Sequence, residues 1–113
     1  MREIKFRGWN VIVKRMQHFT LPDIEKQASS IQWHILEIMQ YTGLKDNNGV
    51  EIYEGDIVQH IAWDYPFEVI FNQERARFVC KMETGITQYI DKERLKVIGN
   101  IYDNPDSIKP KPA

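Results

Sequence analysis

Carboxylates, histidines and one thiol are the side chains of this chain that could carry chemistry, and their spacing limits what each can do. Glu51, Glu54 and Asp56 lie within six residues. Two carboxylates converging across a cleft could act as acid and base or hold a cation. Here they flank Glu54-Gly55-Asp56, which reads as a turn into a strand, and Asp56 is expected to accept backbone N–H groups there. Asp46-Asn47-Asn48-Gly49 has the residue types of a calcium loop but not the spacing. Such a loop needs its glycine sixth and a carboxylate twelfth, whereas Gly49 is fourth and Ile57 is twelfth. His18, His34 and His60 are 16 and 26 residues apart and make no i, i+4 or H-x-H pair, so no zinc site is expected. His60 is expected to face solvent. Cys80 alternates with Phe78 and Met82 and reads as a small buried hydrophobe, not a reactive thiol. Ser29, Ser30 and Ser107 lie in no nucleophile elbow, and no phosphate or dinucleotide loop is present. The expectation is a protein that is not an enzyme and holds no metal or cofactor.

Surface recognition is the remaining option. Arg2, Lys5, Arg7, Lys14 and Arg15 make the N-terminal segment basic, with Trp9 among them. Cations interleaved with an aromatic suit nucleic acid. Glu3 interrupts the run and the formal net charge is −1, so a solvated charged face is the favoured reading. Arg75 and Arg77 form a second, smaller cluster.

The elements that must position these groups are short strands. At 113 residues the chain suits one domain with one core. A hydrophobic share of 42% against 27% charged is that of an ordinary soluble protein. No apolar run approaches the ~20 residues of a membrane-spanning helix, and Met1–Arg7 lacks the apolar stretch of a signal peptide. A single cysteine excludes an internal disulfide. A cytoplasmic location is expected.

Ile4, Phe6 and Gly8 alternate with charged residues, predicting a strand, a tight turn near Gly8–Asn10 and a second strand to about Met16. Thr20-Leu21-Pro22-Asp23 has the pattern of a helix cap, with a loop as the alternative. Residues 31–39 fit a helix face through Ile31, Ile35 and Ile38. Their β-branched and aromatic content favours strand, with an irregularity near Ile35-Leu36. Lys45 to Gly49 is the strongest turn. A strand from Gly55 should bury Ile57, Ile61 and Trp63. After a turn at Asp64-Tyr65-Pro66, the next should bury Phe67, Val69 and Phe71. Further strands are predicted over Arg77–Glu83 and Thr87–Ile90, then a helical turn at Asp91–Arg94, then a closing strand through Leu95, Val97, Gly99 and Ile101. The expected core is Ile4, Phe6, Ile57, Val69, Phe71, Phe78, Val97 and Ile101. Residues 1–105 form the domain, and 106–113 a disordered tail rich in Lys and Pro. Many short strands with little helix predict a mostly β barrel or sandwich with short helical turns and an N-terminal hairpin.

Three phrases go further. Met1 to Trp9, Met39 to Val58 and Lys96 to Pro105 resemble the opening, central and closing phrases of the YopX-like proteins of phages and prophages. The resemblance implies a small SH3-like barrel, a phage or prophage origin and hence the bacterial host cytoplasm, and it implies no reaction. The expected function is a non-enzymatic interaction module that binds a host or phage protein, as a monomer or a homo-oligomer, without contacting membrane. The candidate contact residues are Arg7, Trp9, Tyr41, Tyr53 and Tyr102. The alternative is a nucleic-acid-binding accessory protein using the basic hairpin.

Gly49 is the position where turn chemistry alone makes a quantitative statement. Gly49→Val forces a β-branched side chain into a conformation with φ > 0 and should lower stability by about 1 kcal/mol or more. A denaturant midpoint unchanged from the native protein would refute the turn.

Overall fold

The computed structural model describes residues 3–108. In chain order these form β1 (Lys5–Asn10), β2 (Arg15–Thr20), α1 (Leu21–Gln27), a 3-10 turn (Trp33–Ile35), β3 (Leu36–Lys45), β4 (Glu51–Tyr53), β5 (Asp56–His60), β6 (Pro66–Asn72), β7 (Arg77–Lys81), β8 (Thr87–Tyr89), β9 (Leu95–Asn100) and a 3-10 turn (Pro105–Ile108). Two antiparallel sheets result, one in the order β2-β1-β3-β4 and the other β8-β7-β6-β5-β9. The protein is mostly β, as its strand patterning requires. The pairings form two open sheets, and among the described residues no ring of pairings closes into a barrel.

The first hairpin turns later than its glycine suggests. Asn10 Oδ1 accepts the Ile12 and Val13 amides at 2.9 and 3.1 Å, and Lys14 N–H returns to the Asn10 carbonyl at 2.8 Å. Lys14 completes the reversal at φ 57°. This side-chain-driven turn displaces the expected one at Gly8–Asn10, and β2 runs on to Thr20. Gly8 sits mid-strand for a different reason: a Cβ there would lie 3.2 Å from Ile38 and 3.3 Å from Leu36 on the neighbouring strand.

Thr20 and Asp23 form a reciprocal capping box at the start of α1, with Pro22 in its first turn. The parity change near Ile35-Leu36 is the 3-10 turn leading into β3. Asp91–Arg94 is a single hydrogen-bonded turn and not helix, with Arg94 N–H on the Asp91 carbonyl at 3.1 Å. The last described residues, Pro105–Ile108, form the second 3-10 turn; the part of the expected tail from 109 to 113 lies outside the described residues.

Ile52, Val58, Phe67, Val69, Cys80 and Leu95 make the core, with Leu44, Trp63, Met82, Ile90 and Val97 against it. Of the expected core, Ile57 and Val69 are buried and Phe6, Phe78, Val97 and Ile101 are half-buried. Ile4 and Phe71 are exposed, because Ile4 precedes β1 and Phe71 lies where β6 runs out of the sandwich. Phe67 takes the central place instead. Ile61 is exposed because β5 ends one residue earlier. His60 is buried rather than solvent-facing: its ring stacks on Trp63 at 3.8 Å and its Nδ1 accepts the Ala62 amide at 3.0 Å.

Asp46 joins the two sheets. Its Oδ1 accepts Asn48 and Val50 N–H at 2.8 and 2.9 Å, closing the β3–β4 turn, where Gly49 takes φ 81°. Its Oδ2 accepts Val97 N–H from β9 at 2.9 Å, and Asn47 N–H reaches the Leu95 carbonyl at 3.1 Å. Burial alone would raise the Asp46 pKa. The Val97, Val50 and Asn48 amides outweigh it and hold the carboxyl below its ordinary value. A depressed folded pKa contributes stability that is complete above the unfolded value of ~3.9 and is lost as pH falls through the folded value. Asp46→Asn should therefore cost about 1–3 kcal/mol at pH 7, and its gap to the native protein should close as pH drops below about 4. A gap constant with pH in denaturant titrations would rule out this role for the carboxylate.

Candidate functional site

The expected contact residues fall into two groups once the sheets are assembled. Arg7, on β1, is buried beneath the Glu54-Gly55-Asp56 link that carries the chain from β4 into β5. Its Nη2 donates to Asp56 Oδ1 at 2.8 Å and to the Glu54 carbonyl at 3.1 Å. The guanidinium lies 4.7 Å from the Tyr53 ring centroid. Asp56 Oδ2 accepts Tyr53 N–H at 2.7 Å, the backbone capture expected of this residue. Burial drives the Asp56 carboxyl above its ordinary value, with the Arg7 charge and the Tyr53 amide pulling the other way.

Gly55 is the pivot of this link. It takes φ 84°, and a Cβ there would meet Met39 Sδ at 2.8 Å. Its N–H donates to Val69 of β6 at 2.8 Å, and its carbonyl accepts Ile101 N–H at 3.0 Å. Glu54 exchanges bonds with Gln40 of β3 on the other side, donating its N–H to the Gln40 carbonyl at 2.9 Å and accepting the Gln40 amide at Oε1 at 3.0 Å. Tyr41 and Tyr53 pack together at 5.3 Å, both buried. Arg7, Tyr41 and Tyr53 are thus mostly interior, and what they present outward is the lining of two shallow surface pockets, one at Tyr41 and one at Arg7 and Tyr53. Glu51 and Asp56 line one shallow pocket, from which Glu54 is absent, and each of the three carboxylates has a partner of its own. Asp56 faces Arg7, Glu54 caps Gln40, and Glu51 pairs with Lys5.

Trp9 and Tyr102 are half-buried and stack at 5.4 Å with an interplanar angle of 17°. Asn100 holds Tyr102 in place by accepting the Tyr102 and Asp103 amides at 3.0 and 2.8 Å. Next to it, a Cβ on Gly99 would collide with the Asn104 side chain, so the closing phrase is locked as a unit.

The basic hairpin is partly neutralised. Arg7 is paired with Asp56, and Lys5 bridges Glu3 at 2.8 Å and Glu51. Burial, and then the Arg7 charge, hold the His18 pKa below its ordinary value. Among the described residues Lys14 and Arg15 remain, beside the hairpin tip; Arg2 lies outside the described residues. Among the described residues no group of three His, Cys, Asp or Glu could hold a metal. The Cys80 thiol is buried and pushed up to about 12 by desolvation.

The feature that strand patterning missed is the tip itself. Val11, Ile12 and Val13 read as strand residues, yet they form the turn and are 44%, 69% and 57% exposed. The signal was Asn10, whose side chain can reverse a chain without glycine.

The fold and its interior links define a small two-sheet β domain tied by a buried ion pair. A profile of the YopX protein family matches residues 5–109, and the chain belongs to that family. Its fold resembles that in the crystal structure of protein EF1440 from Enterococcus faecalis, with a TM-score of 0.62 at 23% identity, covering 94% of this chain and 98% of that one. No curated protein matches the chain.

Breaking the pair from one side should be costly. Asp56→Ala leaves a buried guanidinium without its counter-charge and should lower stability by about 3–5 kcal/mol. Adding Arg7→Met should recover more than half of that loss. Additive losses in the double-mutant cycle, read by denaturant unfolding, would mean the two residues are not coupled.

Proposed function

We propose that the protein is a non-enzymatic interaction module, encoded by a phage or prophage, that binds a host or phage protein in the bacterial cytoplasm. The observation that carries this reading is the apolar tip of the β1–β2 hairpin. Three consecutive β-branched residues stand out from the domain, with Ile12 69% exposed. They are not a slack loop, because buried Asn10 fixes two of their amides. A pre-ordered apolar projection loses little entropy on docking, and exposed apolar patches of this kind mark contact surfaces. Lys14 and Arg15 supply a polar rim. The nucleic-acid alternative rested on the basic hairpin, and the pairing of Arg7 and Lys5 removes much of that charge.

The test is affinity capture of the tagged protein from phage-infected cells, with and without nuclease. A nuclease-resistant protein partner is expected, and Ile12→Asp should reduce its recovery roughly tenfold with thermal stability unchanged. Nuclease-sensitive capture would favour the nucleic-acid alternative. Equal recovery by Ile12→Asp would remove the tip as the contact surface.

A further inference from the structure

Four strands end the two sheets, and three of them carry a charged residue or a hydrogen-bonded outer group. β2 carries Arg15 and leads directly into α1. On β4 the Tyr53 amide is held by Asp56. On β9 the Val97 amide is held by Asp46 and the Leu95 carbonyl by Asn47. β8 has no such protection. Its segment Ile86-Thr87-Gln88-Tyr89-Ile90 contains no charge and no proline, the devices by which sheet edges avoid unwanted pairing. Ile86 and Tyr89 are 63% and 68% exposed.

The open edge has a defined hydrogen-bonding face. The Ile86 carbonyl accepts Met82 N–H at 2.8 Å, and Gln88 is opposite Cys80 in the β7–β8 register. Antiparallel ladders alternate, so Gln88 bonds toward β7 while Thr87 and Tyr89 direct their N–H and C=O groups away from the sheet.

A groove of about 580 Å³ lies beside this edge, between β3 and the β6–β7 hairpin. Leu44, Phe71, Phe78, Tyr89 and Ile90 supply its apolar lining and Arg77 its charge. Phe71 and Phe78 meet edge to face at 5.2 Å, which fixes that wall. Arg77 has no ion pair among the described residues. The core expected to cover Phe71 leaves it exposed here instead.

We propose that β8 is a strand-addition site, and that its occupant is an extended segment of a partner protein carrying alternating apolar side chains and an acidic residue. The backbone of that segment would pair with Thr87 and Tyr89. Its alternate side chains would enter the groove, and its carboxylate would meet Arg77. A second copy of this chain fits less well. Two three-residue β8 strands pairing together bury far less than the ~1,200 Å² of a stable interface, and they leave Arg77 unmatched. This surface lies on the other sheet from the hairpin tip, and the two can succeed or fail independently.

The test is selection of random displayed peptides on the purified full chain, followed by fluorescence anisotropy of the enriched sequences. Enrichment of peptides alternating apolar residues with Asp or Glu is expected. Thr87→Pro removes an outward amide and should weaken binding at least tenfold, about 1.4 kcal/mol. Arg77→Glu alters an exposed side chain, leaves thermal unfolding unchanged, and should weaken acidic peptides to a similar degree while admitting basic ones. Ile12→Asp should leave peptide binding intact. No enrichment, or affinities indifferent to Arg77→Glu, would overturn the proposal. So would a dimer in sedimentation that Thr87→Pro dissociates, since that outcome assigns the edge to a second copy.

Discussion

The buried pair between Arg7 and Asp56 is the constraint on which the two-sheet arrangement depends. Each sheet leaves one face to be covered, and hydrophobic contact alone does not fix how two such faces are registered. A guanidinium and a carboxylate taken out of water do fix it, because misalignment would strand a charge. The pair joins β1 to the start of β5, and the same link exchanges main-chain bonds with β3, β6 and the residue after β9. Gly55 permits this crowding: its φ of 84° is strained for a residue with a side chain, and a Cβ would press on the Met39 sulfur.

Asp46 does a related job without a cation. Three backbone amides stand in for the counter-charge, and two of them come from its own turn. The residues that looked most like chemistry, the carboxylates around the central phrase, are thus consumed by architecture. Ionised side chains are the strongest hydrogen-bond acceptors available to a small domain, and here they are spent on joining sheets. Among the exposed apolar features are a hairpin tip and an uncharged edge strand.

How much of this was legible in the sequence depended on whether a feature was local. The capping box at Thr20, the Gly49 turn and the backbone capture by Asp56 each lie within a few residues, and the sequence shows them directly. The mostly β class followed from alternation and turn spacing. Arg7 stands out in the sequence by its charge but its burial does not, because its partner is 49 residues away and no periodicity reports such a distance. His60 was misplaced because strand parity says which side a residue faces but not what packs over that side; Trp63 does. Phe71 was overvalued because alternation does not say where a strand leaves the core. The three phrases that resemble the YopX-like proteins contain Arg7, Gly55, Asp56, Asp46 and Gly99. The resemblance is thus carried by the phrases that hold the sheets together.

The span of the two inter-sheet ties bears on how the chain folds. Arg7 and Asp56 are 49 residues apart, and Asp46 and Val97 are 51. The two loops overlap only in the segment from Asp46 to Asp56, so forming one tie does little to shorten the other. Closure entropy for loops of this length must be met twice before the buried charges are satisfied. The hairpins, with their local contacts, can form early, whereas docking of the sheets is non-local and late. That places the domain among slow-folding β topologies. During the interval before docking, the apolar faces that the sheets bury against each other are open to solvent, which makes the undocked chain the state most prone to self-association.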